Sequence, residues 1–219
     1  MTTAGTARFT MVVTGVVAGV NVFAEENGTV SFVQRHAHIY RLTLGGDGIP
    51  QEIVVNGPFT YTNANVEAAM NDPTVKAWTM LDTRRLTAKQ RLGEADELTH
   101  VRAPAYLAYG VSGAKRLGTD AADRTTHFRG MVDPVRLAAH LPAAQRRAVL
   151  STVRQDYVDR PFLADFWVDA QGRVRRVHVS YRTAGGGHLT VRVAYSDFGI
   201  RVDLKTPPAG DVENITPVH

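Results

Sequence analysis

Turn chemistry recurs so often in the first 63 residues that the strands between the turns can be joined only as hairpins. Alternating segments run through residues 7–18, 29–35, 37–45, 50–55 and 59–63. They are punctuated by Glu26-Asn27-Gly28, Gly45-Gly46-Asp47-Gly48 and Asn56-Gly57-Pro58. Parallel neighbours need a crossover of about a dozen residues or more, which these connections do not supply, so this half is expected to be antiparallel. The run Met11–Val20 (MVVTGVVAGV) has the apolarity of a secretion signal, yet Phe9, Met11 and Val13 share one parity and Thr10 and Thr14 the other. Because the preceding MTTAGTA also carries no charge, the run reads as a strand.

From residue 64 to about 98 the spacing turns helical. Asn65 is placed to cap a helix through Met70, and Asp72-Pro73 to open a second that carries Val75, Trp78 and Leu81 on one stripe. A third helical piece covers 95–109, after the polar insert TRRLTAKQRLGEADE at 83–97. Strands are expected at 109–117 and 124–132, then a helix from Asp133-Pro134 and another from Pro142 with Val149, Leu150 and Val153. Strands at 163–169, 173–182 and 188–196 follow, joined by Ala170-Gln171-Gly172 and Gly185-Gly186-Gly187, and a short strand at 200–205 precedes a Pro-rich tail. This order predicts an α+β fold: one antiparallel sheet with helices gathered on a single face, in a single domain spanning residues 1–219.

Little in the chain points to chemistry. There is no G-x-S-x-G, H-E-x-x-H, G-x-x-x-x-G-K-[ST] or G-x-G-x-x-G pattern, and GVSGAKR at 110–116 has the wrong spacing for a phosphate loop. His36 and His38 leave one face of a strand, as two metal ligands would, but no third ligand lies nearby in sequence, so two surface histidines are the simpler reading. Asp165 and Asp169 share a face about 13 Å apart, too far for a glycosidase pair on that strand, and Asp169 is better placed to shape the next turn. Glu94, Asp96 and Glu97 read as a solvated helix start. Arg173, Arg175, Arg176, Arg182 and Arg192 read as a charged sheet face or as a site for anionic head groups. Lys plus Arg at 25 against Asp plus Glu at 21 falls short of a nucleic-acid binder's basic stripe, and without cysteine neither disulfides nor thiolate chemistry is available. No run of 18 apolar residues is present for a helical membrane span. No cofactor, metal or catalytic residue is therefore expected.

Five segments carry a resemblance, in order, from about residue 8 to 208. They are FTMVVTG (9–15), VNGPFTYTN (55–63) with KAWTMLD (76–82), YGVSGAKRLGTDAADRTTHFRGMVDP (109–134), FWVDAQGRVRRVHV (166–179) and YSDFGIRVDLKTP (195–207). Together they resemble the LolA/LppX-type lipoprotein family of bacterial envelopes, in its actinobacterial LppX/LprA/LprF/LprG-like branch. The resemblance implies a strongly curved antiparallel sheet, a half β-barrel, with helices on its concave face enclosing an apolar cavity that holds lipid or glycolipid acyl chains. It also implies a place at the outer face of the cytoplasmic membrane or in the secreted fraction. The family's lipidated cysteine has no counterpart in this sequence, so an anchor is expected to be absent or to lie upstream of residue 1.

A cavity for acyl chains needs apolar walls rather than a motif. About 15 buried methylenes are worth roughly 12 kcal/mol gross at ~0.8 kcal/mol each, against an association cost of ~4–15 kcal/mol. By parity, Phe9, Met11, Val13, Val30, Phe32, Ile53, Val55, Tyr61, Val177, Val179, Val191 and Val193 are expected on the concave face, joined by Trp78 and Leu81 from the helical layer. The expected partner is an acylated lipid or glycolipid, with a membrane protein as a possible second partner. The alternative is a protein-interaction or sensor module of the same fold in envelope signalling, in which the 83–97 insert and the basic hairpin would matter most.

Overall fold

The computed structural model describes residues 5–17, 19–44, 50–87, 97–141, 146, 149–150, 160–182 and 187–217, with the side chains of 44 and 97–99 outside that description. Its strands are β1 (Thr6–Val17), β2 (Val20–Ser31), β3 (His36–Leu44), β4 (Gln51–Asn56), β5 (Phe59–Thr62), β6 (Trp78–Asp82), β7 (Val111–Asp120), β8 (Thr125–Val132), β9 (Phe162–Val168), β10 (Val174–Arg182), β11 (His188–Ser196) and β12 (Val212–Asn214). The helices are α1 (Val66–Asn71), α2 (Glu97–Tyr106) and α3 (Pro134–His140). All the described strands belong to one curved sheet in the order β12-β6-β5-β4-β3-β2-β1-β11-β10-β9-β8-β7. Every pairing is antiparallel except β12 with β6, which is parallel and departs from the expected all-antiparallel sheet.

β1 is the seam. It pairs with β2 beside it in sequence and with β11 at the far end of the chain, where Phe9 lies opposite Tyr195, Met11 opposite Val193 and Val13 opposite Val191. These side chains define a core face. It continues through Val177 and Val179 of β10 on one side and through Val30, Ile39 and Ile53 on the other. α2 contributes Val101 and Tyr106 to the same core, and Leu137 of α3 and Val149 join it. α1 buries no residue.

Several expectations need correction. Glu26-Asn27-Gly28 is not a turn but the middle of β2, and the chain reverses between Val17 and Val20 instead. The cause is burial. Glu26 is 3% exposed and held by a partner in β3, and Gly28 passes between Phe9 and Ile39. The helix expected from Asp72-Pro73 is absent, because Asp72 Oδ1 accepts from the N–H (2.8 Å) and hydroxyl (2.7 Å) of Thr74 in a local turn, and Trp78–Asp82 then completes the open edge of β5 as a strand. Asn65 makes no side-chain cap bond to α1. The strand expected at 200–205 is irregular, and β12 forms instead in the tail. Of the helix expected from Pro142, residues 146, 149 and 150 are helical and the remainder lies outside the described residues, as do Gly45–Gly48 and Glu94 and Asp96.

Other local signals act as read. Asp133 Oδ1 caps α3 by accepting from the N–H groups of Val135 (2.8 Å) and Arg136 (3.4 Å), with Pro134 in the first turn. Asp169 shapes the β9–β10 turn by accepting from the N–H groups of Gln171 (3.0 Å) and Arg173 (2.9 Å).

After β11 the chain bonds Gly199 N–H to the Thr6 carbonyl (2.9 Å) and reappears beyond β6 at the opposite edge. This strap must cross β1 to β6, and it runs on the outer face, opposite the core, where segment 201–205 faces Thr6 and His36. β12 then docks, with Asp82 N–H donating to Thr216 Oγ1 at 2.8 Å.

Gly15 and Gly28, both at φ +154, let neighbouring backbones approach more closely than any side chain allows. A Cβ would lie 1.9 Å from the carbonyl oxygen of His188 or His38 respectively. Gly28→Ala is expected to destabilise the protein by about 3 kcal/mol or more, or to prevent folding, whereas Gly210→Ala, with open space around its Cβ, should change stability by under about 0.5 kcal/mol. Urea unfolding of the two variants checks this.

Candidate ligand site on the core face

Ten of the expected cavity residues, Phe9, Met11, Val30, Phe32, Ile53, Val55, Val177, Val179, Val191 and Val193, are buried in one cluster, and Val13 is partly buried against it. The other three are placed differently. Trp78 and Leu81 belong to strand β6, not to a helical layer. Leu81 reaches the core-face side by register, opposite Thr60, but stays partly exposed outside the cluster. Tyr61 pairs with Val54 and Met80 on the outer face, and Trp78 shares that face with Met80. Phe59 opposite Asn56 fixes the hairpin so that Thr60 and Thr62 take the core-face side and the aromatic residues turn outward.

Sequence reasoning missed the groups that fasten α2 to this face. Tyr195 Oη donates to the Val101 carbonyl (2.8 Å), and Tyr106 Oη to the Phe32 carbonyl (3.3 Å). Arg102 Nη2 donates to the carbonyls of Ser31 and Gln34. The Phe32 ring packs edge-on against Tyr106 (6.4 Å) and Tyr195 (5.5 Å). Burial pushes the Tyr195 phenol far up, so it stays a neutral donor. Tyr195 was legible by its alternation with Val191 and Val193. The α2 contacts were not, because each joins residues at least 68 positions apart.

Among the described residues the face carries one buried carboxylate. Glu26 lies opposite Met11 in β1 and Arg41 in β3; its Oε1 is 2.7 Å from Arg41 Nε and 3.6 Å from His100 Nε2 of α2. Burial works to raise its pKa, but the hydrogen bond and charge of His100, with those of Arg41, more than offset this and hold the carboxyl below its ordinary range. Its Oε2 is buried with no hydrogen-bond partner among the described residues.

The outer face is polar. Asp165 accepts from His127 (2.6 Å) and Arg129 (2.9 Å), the His127 ring stacks on Trp167 at 4.2 Å, and Arg176 covers Trp167 while pairing with Asp120 and Asp123. His38 pairs with Glu52 at 2.6 Å, and Arg173 with Asp169 at 2.7 Å. Among the described residues no three His, Asp or Glu side chains gather as a metal site would require. A groove of about 840 Å³ lies beneath the strap, between 201–205 and Thr6, Ser31, Gln34 and His36. It contains none of the fourteen expected residues. The Ser31 and Gln34 carbonyls beside it are the ones Arg102 holds from the core side.

Because the folded Glu26 carboxyl titrates below its ordinary value of 4.5, the stability it adds is fully present above pH 4.5 and is lost as pH falls through the folded value. Glu26→Ala is expected to cost about 3 kcal/mol at pH 7, since it leaves the part-buried Arg41 and His100 without their shared carboxylate, and to flatten the decline in melting temperature below pH 4.5. Thermal unfolding of both proteins between pH 7 and 3.5 tests this.

No protein-family model matches the chain, and no curated protein matches its sequence. Among solved structures, lipoprotein LppX of Mycobacterium tuberculosis superposes with a TM-score of 0.52 at 15% identity, covering 92% of this chain and 90% of that one. A DUF1329 family protein from Desulfovibrio piger covers 91% of this chain and 88% of its own at 8% identity, with a TM-score of 0.28, too low to bear on the fold. The chain therefore has an LppX-like fold, a large and mostly antiparallel curved sheet.

Proposed function

We propose that this protein is a non-catalytic carrier that takes the acyl chains of a lipid, lipoglycan or lipoprotein between the core face and α2, working at the outer face of the cytoplasmic membrane or secreted from the cell. The observation that carries the reading is the continuous apolar face running from Ile53 through β1 to Val177, covered by a short helix rather than by a second sheet, in a chain with the LppX-like fold. The LolA/LppX-type resemblance in the sequence points to the same class of cargo. Phe9, Met11, Val13, Val30, Phe32, Ile53, Val55, Val177, Val179, Val191 and Val193 are the proposed lining.

The magnitudes allow it. The polar contacts fastening α2 are worth ~0.5–1.5 kcal/mol each, so the four named here hold it by roughly 2–6 kcal/mol. An acyl chain of about 15 methylenes offers roughly 12 kcal/mol gross against an association cost of ~4–15 kcal/mol, so wedging α2 from the sheet is within its reach at the low end of that cost. No helix among the described residues is long and apolar enough to cross a membrane, so membrane association in this reading comes from an anchor or a surface contact.

A second reading, a docking or sensor module, is favoured by the groove under the strap, where Arg201, Lys205 and His36 face one carboxylate, Asp203. Purification without detergent followed by native mass spectrometry and lipid extraction distinguishes the two. The carrier reading expects a bound acyl species whose occupancy falls at least tenfold in Val179→Phe/Val193→Phe, with Arg201→Glu without effect. A protein that yields no acyl species and takes up no fluorescent fatty acid overturns it.

A further inference from the structure

One end of the sheet is built unlike the other. The ends of six neighbouring strands, β2, β1, β11, β10, β9 and β8, meet there, and the register places the β1–β2 tip beside His188, Arg182, Phe162 and Val132. At about 4.8 Å per strand this rim is roughly 24 Å wide. The end residues of these strands and the first turn of α3 expose Val16 (39%), Val20 (58%), Met131 (39%), Leu163 (47%) and Val135 (78%). Between them stand the exposed arginines Arg136, Arg160 and Arg182. None of the three has an ion-pair partner among the described residues, unlike Arg8, Arg129, Arg173 and Arg176 elsewhere on the sheet. The carboxylate among the described residues of these ends is Asp133, already engaged by the N–H groups of α3.

We infer that this rim is a docking surface for an anionic lipid bilayer: the valines, methionine and leucine enter the interface while the arginines meet the negative head groups. Charge complementarity selects the bilayer over an apolar protein partner, because uncompensated cations beside exposed apolar tips suit a surface that is negative outside and oily beneath. The apolar character of Met11–Val20 is thereby accounted for, since Met11 and Val13 face the core while Val16 and Val20 are exposed at the rim. The inference does not need the interior to hold a guest.

The test is sedimentation of the full chain with vesicles of phosphatidylglycerol and phosphatidylcholine in equal parts, and of phosphatidylcholine alone. Binding is expected to the anionic vesicles and to weaken as salt rises. Val20→Asp/Val135→Asp should lower it more than about tenfold, and each of Arg136→Gln, Arg160→Gln and Arg182→Gln about fivefold. Val33→Asp, at the opposite end where Val33 is 72% exposed, should leave it unchanged. Uptake of a fluorescent fatty acid is read separately on the same protein, so a failure of acyl uptake is separable from a failure here. The inference is overturned if the parent protein does not sediment with anionic vesicles, if Val33→Asp weakens binding as much as the rim pair, or if the rim substitutions abolish a dimer in solution rather than vesicle binding.

Discussion

The pairing of β1 with β11 is the contact on which the rest of the molecule depends. It brings residues 8–16 against residues 188–196 and merges two groups of strands, one from each half of the chain, into one sheet. Only then do Phe9 and Tyr195, Met11 and Val193, and Val13 and Val191 stand as neighbours on a common face. Without it each half would present a long unpaired edge, and the apolar row would be cut in two. The close approach that Gly15 permits at the end of the seam belongs to the same constraint.

The two faces follow different physics. The core face gains from area removed from water and carries, among the described residues, one buried carboxylate, whose burial is offset by Arg41 and His100 on two separate elements. The outer face is stitched by partly exposed pairs such as Arg129 with Asp165 and Arg173 with Asp169, each worth little alone. Their value lies in keeping that side of a broad sheet wetted. His178 fits the pattern: burial, and then the charge of Arg192, hold its pKa below the ordinary value, so it sits uncharged between Asp165 and Arg192.

Much of this was readable from residue order, for identifiable reasons. β3, β4, β5 and β7 to β11 follow from strand composition and local turn chemistry, which operate within a few residues, and so do the Asp133 cap and the Asp169 turn. Most of the apolar core face was readable for the same reason, since parity within a strand decides which way a side chain points. The failures have long-range and local causes. Glu26-Asn27-Gly28 has the composition of a turn, but the partners that make it strand lie in β3 and α2. The stripe Val75, Trp78, Leu81 fits a helix locally, and the open edge of β5 overrides it. Tyr61 was assigned to the wrong face because its orientation is set by the hairpin register rather than by its own strand.

The strap has a consequence for biosynthesis. β1 through β6 leave the ribosome first and can pair locally, but the free edge of β1 awaits β11 and that of β6 awaits β12. At ~5–20 residues per second the interval between completing β6 and producing β11 is on the order of ten seconds. Throughout it the nascent half-sheet has two unsatisfied borders, which β11 and β12 close in turn. While they are open such a polypeptide is exposed to edge-to-edge pairing, and residues 188–214 act as the clasp that ends that exposure.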